Sequence, residues 1–167
     1  MSCQDYFGDI NRNPNNPPNV TLQVLLPTVQ ARINYVYGGD ISRYTSVVMQ
    51  HVEGVARQWA SANNYQISTS DLNAAWRFNL YAGAYLDLDI ITNDAMAGGH
   101  NHYVAIAHTL NAFAWMMATD IWGDMPLTEA FQGTSKLQPA FDTQEAIYNQ
   151  ILAWSDEALS LFAGEAN

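Results

Sequence analysis

Two pairs of carboxylates and a group of histidines are the residues whose chemistry could reach furthest in this chain. Asp120 and Asp124 flank Trp122 and Gly123, and glycoside hydrolysis needs two carboxyl groups facing one bond. A turn at Gly123 and Pro126 would bring them near each other. It would equally let each carboxylate bond backbone amides of the turn and fix its shape, which is the favoured reading. Asp87 and Asp89 are two apart on a helical pattern and point roughly 200° away from each other, so they cannot converge. His100, His102 and His108 are two and six residues apart. Metal ligands on one helical face fall three or four apart, so no metal site is expected. Asp9, Asn11 and Asn13 imitate the opening of a calcium loop. Pro14 and Val20 stand where that loop needs glycine and glutamate, so the imitation fails. The chain carries no GxSxG, P-loop or GxGxxG pattern, so neither catalysis nor a cofactor is expected.

Recognition is the remaining chemistry. Trp59 is followed by Asn63, Asn64 and Tyr65 in a polar stretch, ASANNYQISTS. Aromatic faces stack on the apolar C–H faces of sugars, while amides bind their hydroxyls. These four residues are therefore candidate ligand contacts, with Trp59 read alternatively as a cap on the core. Six Lys and Arg against sixteen Asp and Glu leave a net charge of −10, which repels phosphate backbones and argues against nucleic-acid binding. Only 13% of residues are charged, so Asn, Gln, Ser and Thr dominate the polar surface and suit neutral, hydroxyl-rich ligands. The single cysteine, Cys3, excludes an internal disulfide and a cysteine-based metal site. Its place near the start leaves two readings, an exposed thiol or the first mature residue of a lipoprotein.

The elements that must position these residues read as helices. Residues 1–20 are rich in Asn and Pro and form an extended lead-in, and residues 21–167 form the helical domain. The first helix carries Leu22, Leu25, Leu26, Val29, Ile33, Val36 and Tyr37 and is expected to close at Gly38-Gly39. A second, capped by Asp40, runs from Ile41 to Trp59, with His51 beside its apolar stripe as a core or boundary residue. After the loop at 60–70 a third helix extends from Ser70-Asp71 to about Ala97. Gly98-Gly99 then fold it back as an antiparallel hairpin on a central helix. That central helix, from Asn101 to Thr119-Asp120, is apolar on every side and so is expected to be buried all round. It is too short and too broken by polar residues for a membrane span. Trp76, Trp115 and Tyr148 fall on buried stripes. An irregular stretch with one helical turn at Leu127 to Phe131 leads to a last helix, capped by Asp142 with Glu145 in a capping-box-like pair.

The segments CQDYFGDINRNPNNP, Leu25-Leu26-Pro27, QHVEG at 50–54, Trp76 with Tyr81, DIWGDMPLTEA at 120–130 and FDTQEAIYNQIL at 141–152 together resemble the SusD/RagB family of outer-membrane nutrient-binding lipoproteins of Bacteroidetes. The resemblance implies an all-α fold of antiparallel, tetratricopeptide-like helix pairs in a right-handed array. It also implies a lipid anchor to the outer membrane at Cys3 and a SusC-like TonB-dependent transporter as partner. The ligand would be an oligosaccharide or, in some members, a peptide, and no reaction would be catalysed. Asp120, Trp122, Gly123, Asp124 and Pro126 then read as fold determinants. Family members are much longer, so the chain is expected to be an N-terminal portion, lacking a signal peptide. The family fixes no ligand motif, so Trp59, Asn63, Asn64 and Tyr65 stand on chemistry alone. Two alternatives remain, a helical protein-docking scaffold and an all-helical glycosidase using Asp120 and Asp124.

Overall fold

The computed structural model describes residues 20–164, so Cys3 and the Asp9 to Asn13 stretch lie outside the described residues. Its elements are α1 (Leu22–Tyr35), α2 (Ser42–Val48), α3 (Arg57–Asn63), α4 (Leu86–Gly98), α5 (Asn101–Trp122) and α6 (Gln144–Phe162), an all-α helical array. Pro27 sits in the second turn of α1 without ending it. Gly38-Gly39 do not close the first helix as expected. They lie in a π-helical stretch, Val36–Ile41, that carries α1 directly into α2. Glycine weakens a helix by only about 1 kcal/mol, and buried Ile33, Val36, Tyr37 and Ile41 hold the rod together through this point. Asp40 is accordingly inside the rod and caps nothing.

The expected second helix instead breaks after Val48. Residues 49–56 form turns and irregular backbone before the short α3, so Val52 and Val55 are exposed rather than part of a buried stripe. His51 is exposed in the same turn. A second π-helical stretch, Ala75–Tyr85, runs into α4 as one rod. The two rods lie antiparallel: Tyr44 neighbours Asp71, Tyr37 meets Tyr85, and Arg32 reaches Asp87 at 3.9 Å. Gly99, at φ 70°, ends α4 and sets α5 beside it.

Helix α5 is the hub. Tyr85 stacks on Trp115 at 4.2 Å, and the hydroxyls of Tyr37 and Tyr85 both donate to the carbonyl of Ala114. Burial pushes the Tyr37 hydroxyl up to about 12, so it stays a donor. The helix is not buried all round: Asn101, Thr109, Phe113 and Asp120 leave a narrow solvent strip. It also runs to Trp122, past the expected end, and stops at Gly123, whose φ of 73° and ψ of −127° suit glycine alone. Helix α6 returns antiparallel along α5, with Tyr148 bonding Asp120 and Glu157 facing His108. Its cap is Thr143, whose hydroxyl accepts from the amide of Ala146, one residue later than the expected Asp142. Asp142 has another task, accepting from the amides of Leu127 and Thr128 and from the Thr128 hydroxyl.

Candidate functional site

Trp59 stands where α2, α3 and the start of the second rod meet. The loop before it is tightly determined. Buried Gly54 lies against α3 so closely that a Cβ would fall 2.0 Å from the carbonyl oxygen of Trp59. The Gly54 amide donates to Asn63 Oδ1 at 3.3 Å, tying the loop to the end of α3. Gln50, Arg57 and Tyr65, at φ of 56°, 53° and 56°, bracket this segment in the left-handed region. Such conformations are unfavourable for residues with a Cβ and gather at binding sites.

Arg43 orients the indole. Its Cζ sits 5.7 Å from the centre of the Trp59 ring, a cation–π distance. The guanidinium is itself held by Asp40 at 2.5 Å and by the carbonyl of Gly39. Trp59 is half-buried and borders two hollows. One is an open, mainly apolar cleft of about 410 Å³ with Val47, Val52, Val55 and Ala56 on its walls and Arg43, Ser46 and Glu53 at its polar positions. The other is a more enclosed chamber of about 160 Å³ whose polar lining is Asp40, Tyr44, Gln58 and Asp71. Both π-helical stretches reach this chamber, one through Asp40 and the other through Ala75. Extra residues of this kind in a helix frequently occur at functional sites.

The chamber's electrostatics are polar and negative. Ser68 donates its hydroxyl and its amide to Asp71, and these bonds hold the Asp71 carboxyl below its ordinary range. Burial, and then the neighbouring Asp71 charge, push the Tyr44 hydroxyl up. Tyr44 is half-buried, and its hydroxyl faces the Asp71 carboxylate as its hydrogen-bond partner.

Of the four sequence candidates, Trp59 lines both hollows and the other three do not. Asn63 spends its carbonyl on Gly54, Asn64 donates its amide to the carbonyl of Ala60, and Tyr65 is exposed beyond the end of α3. Sequence reasoning passed over Asp40, Arg43, Tyr44 and Asp71. Asp40 and Tyr44 are four apart, the spacing that puts two side chains on one helical face. That spacing becomes visible only once the rod is known to run through Gly38-Gly39.

The other candidate residues serve the framework. Asp120 accepts from the Tyr148 hydroxyl at 2.6 Å, and Asp124 accepts from the Gln144 amide at 2.9 Å, so both bind α6 rather than their own turn. Trp122 packs edge-on to Trp76, and the Pro126 carbonyl takes the Tyr81 hydroxyl. Trp115 is buried, whereas Trp76 and Tyr148 are half-buried; Trp76 also borders an aromatic groove of about 360 Å³ with Tyr81 and Phe131. Asp87 pairs with Arg32, and Asp89 accepts from Asn93. His100, His102 and His108 face Tyr103, Phe162 and Glu157 respectively. Among the described residues no three potential metal ligands gather, and no helix is long and apolar enough to cross a membrane.

No curated protein matches the chain. A SusD/RagB family protein from Bacteroides thetaiotaomicron VPI-5482, known from a crystal structure, superposes with a TM-score of 0.79 at 25% identity. The overlap covers 89% of this chain and 32% of that one, so the chain spans about a third of that protein's length. The sequence model of the SusD-like family, described as starch-binding and associating with the outer membrane, matches residues 14–167. With nearly the whole chain matched and its helices superposing on a family structure, the protein belongs to the SusD-like family.

Proposed function

We propose that this chain is the helical N-terminal part of a non-enzymatic outer-membrane protein that captures oligosaccharide at Trp59 and passes it to a SusC-like TonB-dependent transporter. The observation that carries the reading is the indole of Trp59, oriented by Arg43 and open to hollows on two sides. Asn64 and Tyr65, exposed at the end of α3, extend the same surface with an amide and a second ring, while Asn63 holds the loop. Residues 21–167 are the folded unit and residues 1–20 the lead-in, with Cys3 as its acylation site. The helix pairs continue as a right-handed, tetratricopeptide-like array.

Trp59→Ala tests the site. Affinity for neutral oligosaccharides, measured by calorimetry, should fall about five- to thirtyfold, the loss of about 1–2 kcal/mol expected for one stacked ring. Helicity by circular dichroism should be unchanged, and undiminished affinity would remove Trp59 from the site. The intact mass of the protein taken from its native membrane fraction tests the anchor, which requires a diacylglyceryl increment on Cys3.

One observation favours a second reading, a scaffold that docks a partner protein. Leu152 and Leu159, 62% and 69% exposed, lie seven residues apart on one face of α6. Co-purification with a transporter barrel by a protein that binds neither sugar nor peptide would select it.

A further inference from the structure

We propose that the open cleft beside Trp59 receives an apolar substituent carried by the bound sugar, an ester-linked acyl group or an aryl group, rather than a second bare ring. The inference rests on the reading of Trp59 as a glycan platform and adds the class of sugar to it. The cleft holds about 410 Å³, within the range of small-molecule sites, and its walls are Val47, Val52, Val55 and Ala56 beside the indole. A bare ring entering it would strip water from its own hydroxyls and find little in return, because the polar groups there are already spent. The Arg43 guanidinium is held by Asp40 and the Gly39 carbonyl, and the Ser46 hydroxyl donates to the carbonyl of Ser42. The Gly54 amide goes to Asn63, and the side chains of Ser42 and Glu53 stand exposed to solvent. An apolar group has no such loss to make good and gains by covering the valines.

The loop that carries the valines supplies the second observation. Val52 and Val55 are 54% and 81% exposed, yet the backbone that presents them is fixed. Gly54, between them, packs against the carbonyl of Trp59, and Gln50 and Arg57 on either side hold left-handed backbone at φ of 56° and 53°. A loop held at such conformational cost while presenting two branched apolar side chains to water leaves them for something outside the fold. Position then names the occupant. The cleft and the platform share one indole, so a group attached to a sugar stacked on Trp59 enters the cleft without a separate binding event.

Calorimetry on the whole chain tests this with malto-, cello- and manno-oligosaccharides, each unsubstituted, O-acetylated and as the p-nitrophenyl glycoside. One buried methyl or methylene group raises affinity about fourfold, so in the series that binds, wild type should favour the acetylated form about fourfold or the aryl form roughly tenfold or more. Whichever arm gains names the substituent. In the double variant Val52→Ser with Val55→Ser, checked as folded by circular dichroism, that advantage should fall below about twofold. Equal affinity for the three forms in wild type overturns the proposal, and so does an advantage that the double variant keeps. A valine-rich peptide that binds more tightly than every sugar form also overturns it, giving the cleft to a peptide side chain, as does a dimer in sedimentation that the double variant dissolves. In each of these cases bare sugar still binds and loses affinity in Trp59→Ala, so the platform stands. If no sugar form binds, the platform reading falls as well.

Discussion

An alanine at position 54 would need space that the fold has given to a carbonyl oxygen. Its Cβ would lie 2.0 Å from the Trp59 oxygen, a backbone atom that cannot swing aside like a flexible side chain. The loop must move, breaking the bond from the Gly54 amide to Asn63. Overpacking of this kind costs about 1–3 kcal/mol, which for a chain of this size lowers the melting temperature by roughly 3–10 °C. Gly54→Ala should therefore melt earlier, shift the Trp59 contribution to the fluorescence and weaken sugar binding; a variant unchanged in all three would show that the loop does not hold the indole. The glycine of the QHVEG segment is thus explained by close approach. That approach could not be read from the sequence, because it depends on which turn of α3 the loop meets. Trp59 could be singled out as a platform by its residue type and polar neighbours. The destinations of Asn63 and Asn64 could not, because both are decided by where α3 stops.

Most helices were legible from their apolar periodicity, and their joins were not. Gly38-Gly39 look like a stop, yet burial on both sides of them outweighs their small local penalty, and the rod continues. Val47, Val48, Val52 and Val55 look like one stripe, yet the chain turns at residue 49 and exposes the last two. The π-helical stretches add a phase shift of one residue, too small to separate from ordinary scatter around a period of 3.6. The cap of α6 was displaced by one residue because Asp142 and Thr143 are both good caps, and the bonds from Leu127 and Thr128 that claim Asp142 come from a distant segment. That clasp is testable. Burial pushes the Asp142 carboxyl up, but the amides of Thr128 and Leu127 and the Thr128 hydroxyl outweigh it and hold the group below its ordinary 3.8. The folded state thus binds this proton less readily than the unfolded chain. The clasp's contribution is complete above about pH 3.8 and is lost as the pH falls through the folded value. Asp142→Asn should lower stability at neutral pH by about 1.5–3 kcal/mol. Its denaturation midpoints should also change less than those of wild type on acidification, and parallel acid profiles would show that the clasp carries no charge-dependent stability.

At the scale of the molecule, the all-α class followed from helical apolar periodicity and the family resemblance, and the central place of α5 from a helix too apolar for a surface. What could not be read was which of its few polar residues would be enclosed. His108 is 2% exposed, between α5 and α6, with Nδ1 3.4 Å from Glu157 Oε2 but without a hydrogen bond of normal geometry. Burial lowers its pKa from the ordinary 6.5, and the Glu157 carboxylate raises it only in part. Here the unfolded chain takes the proton more readily, so the fold is fully stable above about pH 6.5 and loses stability as the pH falls from there toward the folded value. One such group changes stability by at most about 1.4 kcal/mol per pH unit. Chemical denaturation between about pH 8 and 5 should show that decline in wild type. His108→Gln should flatten it, because the titrating group is gone. Glu157→Gln should extend it to lower pH, because the carboxylate that favours the charged imidazole is gone while the burial remains. If instead Glu157→Gln shortened the decline, Glu157 would oppose protonation of His108 and the contact joining α5 to α6 would have the opposite sign.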